Sequence, residues 1–535
     1  MPVRNLTEAV ARLWQWIAAH ARWSVLALGA VGALAYPPLG LWPIGLLALA
    51  LFLQLLRRAE SWKQAALLGW LFGWAHLTIA NNWIATAFTY QAEMPPVLGW
   101  FAVPLLCIYL AVYPAVAALA AHLAARNSRT LAYAGMFAGT WIVSEWLRSW
   151  VFTGYPWPPL GLMLLGDFDS PGIALLLPWL GTYALSGLVI LIVGLAIWLV
   201  ERKTRIGQAV LAIVLVGLMN LPLGSLDKAE GYVPFALIQP LIPQEEREDP
   251  SKFEEQFIRT AQLTMPGNEE ARLVLWPEAA IPDYLEDGYP RRYYLARTAA
   301  ADPAFARQRI GAVIGAESVL LAGLVHLDMG QRNGRLAAVS ARNAVSAIDG
   351  EGTIFANYAK AHLVPYGEYL PMRPILEPLG LSRLVAGSID YDPGPGPQTI
   401  DLARFGKAGI QICYEIVFSG QVVDRANRPD YIFNPSNDGW FGSWGPPQHL
   451  AQARLRAIEE GLPVLRSTTT GISAVVDANG VVRAHIDRNL ADRIDGMIPP
   501  ARAPTLFARL GNWLPLGWAL LLIAASVVAM RRRCV

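Results

Sequence analysis

Apolar positions along the chain follow two regimes. Up to residue 224 they form long runs with few charges, and from 225 to 512 they come as short stretches between charged residues. One more apolar run lies at 513–530. A helix rises 1.5 Å per residue, so a hydrocarbon core of about 30 Å takes about 20 apolar residues to cross. Leu39–Leu56, Gln64–Tyr90, Val97–Leu123, Leu131–Val151, Pro171–Val200, Ile206–Leu223 and Leu514–Met530 are candidate spans. Trp23–Tyr36 joins them if its helix continues back toward Trp14 with Arg22 snorkelling. Its Ala33-Leu34-Ala35 has the form of a signal-peptidase site, but the many spans that follow favour a retained helix. The pattern predicts a multi-pass α-helical membrane bundle of about eight helices. About seven lie in 1–224 and one in 513–535, with an α/β domain in 225–512 between them.

Basic residues give this bundle a direction. Arg4/Arg12/Arg22, Arg57-Arg58/Lys63, Arg126/Arg129, Arg202-Lys203/Arg205 and Arg531–Arg533 all fall on one side of an eight-helix arrangement. That side is cytoplasmic by the positive-inside rule. Both termini are then cytoplasmic, and 225–512 faces a periplasm-like compartment. Only 16% of the 535 residues are charged, against about 25% in soluble domains. The formal net charge of +2 gives no global attraction to nucleic acid. Cys107, Cys413 and Cys534 are too scattered for a disulfide framework, and no Cys or His cluster has zinc spacing. No metal or cofactor is expected.

Charge inside a span is costly, so Glu145 and Arg148 stand out. Three apart on one helix face, they can pair, and they read equally as structural glue or as part of a substrate path. His76 and Asn81-Asn82 read as helix–helix hydrogen bonding. Phe152–Trp157 reads as an aromatic interfacial loop on the side of the α/β domain.

Within 225–512, strand patterns occur at Val233–Gln239, Arg272–Trp276, Ala312–Ala316, Leu320–Leu327, Ala338–Ile348, Thr353–Tyr358, Ala408–Cys413, Tyr431–Asn434, Val464–Thr468 and Ser473–Val476. Helical patterns occur at Pro250–Met265, Arg291–Ala299, Glu415–Arg425 and Pro447–Gly461. Together they predict a layered α/β domain with mixed sheets. Cys413 ends an apolar lead and precedes a helical pattern. Backbone N–H groups at such a turn favour a thiolate and an oxyanion beside it. The position equally suits a buried cysteine acting as a small hydrophobe. Leu273–Glu278 carries a carboxylate at a strand end, and Tyr358–Glu368 carries Lys360 and then Glu368. Singly, each reads as a solvated loop charge; together, base, cation and thiol make an acyl-transfer set. Cys107 and Cys534 read as non-catalytic.

These segments resemble the carbon–nitrogen hydrolase (nitrilase) superfamily, whose Glu-Lys-Cys triad runs in this order. The match is Trp276-Pro277-Glu278, Lys360 and Cys413-Tyr414-Glu415. The chain is more closely similar to the apolipoprotein N-acyltransferase family, the membrane branch of that superfamily. Lys360–Glu368, Ser436–Gly442, Gln448-His449, Arg454–Ala457, Glu145–Arg148 and Phe152–Trp157 carry that likeness. The resemblance implies an αββα sandwich on a transmembrane bundle in the bacterial inner membrane. It implies that Cys413 takes the sn-1 acyl chain of a phospholipid, phosphatidylethanolamine by analogy, as a thioester. The acceptor is then the α-amino group of an S-diacylglyceryl-cysteine at a lipoprotein N-terminus.

In this scheme Glu278 moves the protons, and Lys360 with the Tyr414 N–H stabilises the oxyanion. Glu368 and Glu415 are auxiliary, and Trp440 and Phe441 are candidate acyl-pocket walls. Tyr369–Met372 through Leu384-Val385, rich in Leu and Pro, reads either as a lid or as a surface loop. Two departures stand out. Arg247-Glu248-Asp249 lies where a tryptophan is expected, and Ser467–Gly471 replaces a more asparagine-rich stretch. The alternatives are a membrane-anchored amidase that uses water as second nucleophile, and a transporter or lipid-binding module.

Overall fold

The computed structural model describes residues 2–90, 95–223, 229–266, 270–379 and 390–532. The N-terminal part is helical. Its longer helices are Pro2–Ala19, Ala21–Gly32, Trp42–Arg57, Trp62–Ala80, Leu98–Leu110, Val112–Ala125, Thr130–Arg148, Thr182–Glu201 and Arg205–Met219. The distant Trp513–Arg531 packs back against Thr130–Arg148, across a face of small residues. Side chains at Gly135 and Gly139 would run into Ser526 and Ile523, the close approach typical of apolar helix pairs.

Among the described residues, three helices are long and apolar enough to cross a membrane: Leu98–Ala125, Thr182–Glu201 and Trp513–Arg531. Ala11–Ala19 with Ala21–Ala35 makes a fourth candidate, but the pair is bent by 105°. The Trp23–Tyr36 run therefore does not continue straight back to Trp14. The bundle also carries large apolar side chains on its outside, such as Ile213, Leu520 and Leu105 at 70%, 68% and 64% exposure. A water-facing surface rarely carries so many. Inside, His76 bonds to the Tyr36 hydroxyl (2.9 Å) and the Gly29 carbonyl (3.2 Å), and Asn81 accepts from the Tyr155 hydroxyl (2.8 Å).

The α/β domain contains two six-stranded sheets. The first holds β1 (Pro234–Gln239), β2 (Leu273–Leu275), β3 (Val319–Arg332), β4 (Arg335–Asp349), β5 (Ile354–Ala359) and β12 (Asp492–Met497), in the order β12-β1-β2-β3-β4-β5. The second holds β6 (Thr399–Asp401), β7 (Lys407–Ile410), β8 (Tyr431–Ser436), β9 (Val464–Thr468), β10 (Ser473–Val476) and β11 (Val482–Ile486), in the order β11-β10-β9-β8-β7-β6. Each has parallel pairs at its centre, β1/β2/β3 and β7/β8/β9, and antiparallel strands at its edges.

Period-2 alternation sorts the first sheet's side chains between two cores. Phe235, Leu237, Leu273, Leu275 and Leu321 join the core shared with Ile410, Phe433 and Leu465 of the second sheet. Ala236, Ile238, Val274, Leu320 and Ala322 pack with Ala261, Ala306 and Ile310 of the helices Phe253–Thr264 and Pro303–Ile314. The outer layer of the second sheet is the helix Gly445–Glu460. Its Leu450, Ala453 and Ala457 join the inter-sheet core, while Ala451, Leu455 and Ile458 join the core of the helical bundle. Arg454 donates to the carbonyls of Gly166, Asp167 and Ser170 at 2.7–2.9 Å, locking this helix to the bundle.

Strands β6, β11 and β12 have no counterpart in the sequence pattern, and two of the predicted elements take another form. Ala312–Ala316 is not a strand. Asp302 caps, and Pro303 opens, a helix running to Ile314, whose buried Ala306, Ile310 and Val313 keep helical spacing. Glu415–Arg425 is not an α-helix. A short 3-10 turn, Cys413–Val417, is followed by irregular chain, with Gly420 at φ +77°. All five residues of that turn are buried, so tertiary contacts override local helix preference.

Candidate active site

Three strands end at one place. Glu278 follows β2, Lys360 follows β5, and Cys413 lies just beyond β7. The Glu278 backbone lies so close to β3 that a Cβ on Gly323 would sit 2.6 Å from the Glu278 Cα, so only glycine fits. Glu278 is buried. Its Oε1 accepts from Asn343 Nδ2 at 2.7 Å, and its Oε2 from the Asn437 N–H at 2.7 Å.

Lys360, 1% exposed, is 3.7 Å from Glu278 Oε1 and 3.0 Å from Glu368. Glu368 also accepts from Asn343 Nδ2 and the Val364 N–H, each at 2.7 Å. One ammonium thus lies between two carboxylates that share one amide. Burial alone would lower the Lys360 pKa, but the charges of Glu368 and Glu278 outweigh it and hold it above the usual lysine range.

Cys413 is buried at φ +51°, a left-handed conformation costing about 1–3 kcal/mol for a residue other than glycine. Burial pushes its thiol well above the ordinary range, and the Glu278 charge adds to this. The Lys360 charge and the Asn437 N–H pull the other way without prevailing. The resting group is therefore a thiol. The expectation that a helix N-terminus would favour a thiolate is corrected, because no α-helix starts here and desolvation dominates.

Glu415 holds the turn. Its Oε2 accepts from the Ile412 N–H (2.7 Å), while its Oε1 accepts from the Ala361 N–H (2.7 Å) and the Tyr358 hydroxyl (2.8 Å). It thereby ties the nucleophile turn to the strand end that carries Lys360. Burial raises its pKa to about 7, against the pull of the Ala361 N–H and the Tyr358 hydroxyl. Tyr414 is buried, and its hydroxyl reaches the Gly154 carbonyl at 3.4 Å, on the aromatic loop above the bundle.

The remaining candidates lie further out. Phe441 is wedged among Trp83, Trp157 and His449, with ring centroids 4.6–5.9 Å away. Trp440 is half-buried between Tyr90 and Arg247, and Arg247 occupies the segment where a tryptophan is expected. Glu145 and Arg148 pair at 3.6 Å inside the bundle. Arg148 donates to the Trp157 and Pro158 carbonyls, and Glu145 accepts from the Leu160 N–H. The cavity beside them is about 20 Å³, room for one water. Leu384 and Val385, at the far end of the lid candidate, lie outside the described residues; Met372 and Ile375, nearer its start, are exposed.

Comparison with known proteins follows the same division of the chain. Residues 28–195 match the apolipoprotein N-acyltransferase N-terminal domain, and residues 235–502 match carbon-nitrogen hydrolase. A Rhodopseudomonas palustris protein named apolipoprotein N-acyltransferase is 30% identical over 562 residues, covering 99% of this chain and 98% of that one. The chain belongs to the apolipoprotein N-acyltransferase family. Another member, from Bradyrhizobium diazoefficiens, is 32% identical over 565 residues, with the same coverage of both chains. Among solved structures, Saccharomyces cerevisiae Nit3 of the nitrilase superfamily is 18% identical, covers 50% of this chain and 90% of its own, and gives a TM-score of 0.33.

Sequence reasoning passed over Asn343, although a buried amide in the middle of the apolar Ala338–Ile348 run was a usable signal. It also gave no role to Asn437, Asp438, His449 or Arg466. Arg466, fully buried in β9, donates to Asp438 (2.6 Å) and Ser436 (2.9 Å), and it bonds Asn434 as well.

Proposed function

We propose that this family member, an N-acyltransferase, works through a Cys413 thioester, with Glu278 as acid–base and Lys360 as oxyanion partner. The observation that carries the reading is the buried Glu278–Lys360–Glu368 cluster, of which the Glu278 and Lys360 charges act on the Cys413 thiol. Glu278 takes the thiol proton as Cys413 Sγ attacks the sn-1 ester carbonyl of a phospholipid, phosphatidylethanolamine by family analogy. The C–S bond forms, the C–O bond breaks, and Glu278 returns the proton to the leaving lyso-lipid alcohol. Lys360 and the Tyr414 N–H stabilise the tetrahedral oxyanion.

The α-amino group of an S-diacylglyceryl-cysteine then attacks the thioester. Its surplus proton passes to Glu278 and from there to the departing thiolate. Glu368 holds Lys360 in place.

Both substrates keep acyl chains in the bilayer, which accounts for the apolar bundle. We read eight of its helical segments as spans, with the shorter Trp42–Arg57 and Arg205–Met219 among them. The bundle then comprises 1–224 and 513–535, and 225–512 is the catalytic domain on the periplasmic side, with both termini cytoplasmic. Trp440 and Phe441 line the acyl path.

The test is intact mass spectrometry after incubation with phospholipid. An acyl adduct on Cys413 that disappears when diacylglyceryl peptide is added supports the scheme. Absence of the adduct under turnover conditions refutes it. Free fatty acid as the main product supports an amidase-type hydrolase instead.

A further inference from the structure

His449 lies one position past Gln448 on the Gly445–Glu460 helix and is fully buried. Its Nε2 is 3.0 Å from the carbonyl oxygen of Cys413. A carbonyl only accepts hydrogen bonds, so Nε2 carries the proton and donates. The other ring nitrogen, Nδ1, faces Asp438 Oδ1 at 2.9 Å and Arg466 Nη2 at 3.0 Å. Asp438 and Arg466 are themselves paired at 2.6 Å, and neither is exposed. The ring therefore cannot turn without stranding several buried polar groups. Next to it, Gln448 accepts from Trp157 Nε1 (2.8 Å) and donates to the Ala80 carbonyl (3.2 Å), anchoring this stretch of helix to the bundle.

The carbonyl that His449 holds is one half of a rigid unit. The Cys413–Tyr414 peptide is trans, and in a trans peptide the C=O and the following N–H point in opposite directions within one plane. Holding the Cys413 oxygen therefore fixes where the Tyr414 N–H points. That N–H belongs to the first turn of the Cys413–Val417 helix, where N–H groups have no partner within the helix. The left-handed φ of Cys413 makes the restraint necessary, since an unrestrained residue relaxes out of that region.

We propose that His449 is a positioning residue. Its Nε2–H, buttressed by Asp438 and Arg466, locks the Cys413–Tyr414 peptide plane and so aims the Tyr414 N–H at the oxyanion. The proposal rests on the thioester reading given above.

Acylation of Cys413 passes through an oxyanion, whereas alkylation by iodoacetamide does not. The two reactions are compared in the full-length protein, per folded molecule. In His449→Asn the side-chain N–H falls short of the Cys413 oxygen. Acylation by phospholipid is expected to drop about 10²–10³-fold, the usual cost of a lost oxyanion donor, with iodoacetamide alkylation and the KM for phospholipid nearly unchanged. In His449→Gln an amide N–H sits near the position of Nε2, and most of the rate should return. Equal loss in both variants, or alkylation falling in step with acylation, overturns the proposal. If neither variant folds, 15N-histidine NMR of the wild-type protein decides. A protonated Nε2 on His449 supports the assignment, and an unprotonated Nε2 overturns it. Failure of the thioester reading looks different, because transfer would then survive in Cys413→Ala.

Discussion

Replacing Lys360 by Met keeps most of the side-chain volume and removes the charge from the centre of the site. The ammonium is 3.0 Å from Glu368 and 3.7 Å from Glu278, and at an effective dielectric of about 20 each such pair is worth roughly 5 kcal/mol. Without it, two buried carboxylates would face the same Asn343 amide, each at 2.7 Å. Like charges so placed cannot both stay ionised, and the pair takes up one proton. Two losses then combine: the oxyanion loses a donor, and the thiol loses its base at neutral pH. Acylation of Cys413 is expected to fall at least ~10²–10³-fold. The residual rate should climb with pH as the shared proton leaves, so that its profile departs from that of the wild-type enzyme. The assay is thioester formation followed by intact mass across a pH series, on protein whose thermal unfolding shows it folded. A Lys360→Met enzyme with near-normal rate and an unshifted profile would refute both the charge argument and the oxyanion role.

Three further outcomes are expected. Arg148→Ala leaves Glu145 buried without its cation and frees two carbonyls; thermal unfolding in detergent should show a loss of about 3–5 kcal/mol, and an unchanged melting point would contradict this. Gly323→Ala drives a methyl into the backbone of Pro277–Ala279, so it should cost about 1–3 kcal/mol and slow acylation by displacing Glu278, which wild-type kinetics would disprove. Glu460 is buried beside Glu459, and burial first and that charge second raise its pKa to about 7. Between the unfolded carboxylate range and pH 7 the folded state holds the extra proton, so the stability this group contributes declines as pH rises through that window and is level above it. Glu460→Gln should therefore stabilise the protein by on the order of 3 kcal/mol at pH 8 and far less near pH 5; equal melting shifts at both pH values would exclude this account.

Much of the site was legible because its three chemical groups each follow a strand, and strand ends are easy to read from alternating apolar residues. Strand ends mark Glu278 and Cys413 as candidates, but only the resemblance to the nitrilase superfamily joins them with Lys360 into one set. What the pattern missed depends on contacts distant in sequence. Asn343 looks like a flaw in an apolar strand until Glu278 and Glu368 are seen on either side of its amide. The stretch from Glu415 has helical spacing, yet its carboxylate is engaged by the Ala361 N–H of a different strand end and by the Ile412 N–H just before it, and the chain turns instead of propagating a helix. Ala312–Ala316 departs from its pattern for a different reason: its short apolar run is the tail of a helix whose start signal, Asp302-Pro303, lies ten residues upstream. Arg454 could be recognised as part of a motif, but its grip on 166–170 required the bundle to be in view.

The helix Gly445–Glu460 belongs to two hydrophobic interiors at once, with one face in the inter-sheet core and the other among the helices of the bundle. Such a shared beam ties the two sheets and the bundle into one packed unit among the described residues. On the proposed acyl transfer, donor and acceptor would trade places through small movements of side chains and rim loops, with the nucleophile turn held fixed against the bundle.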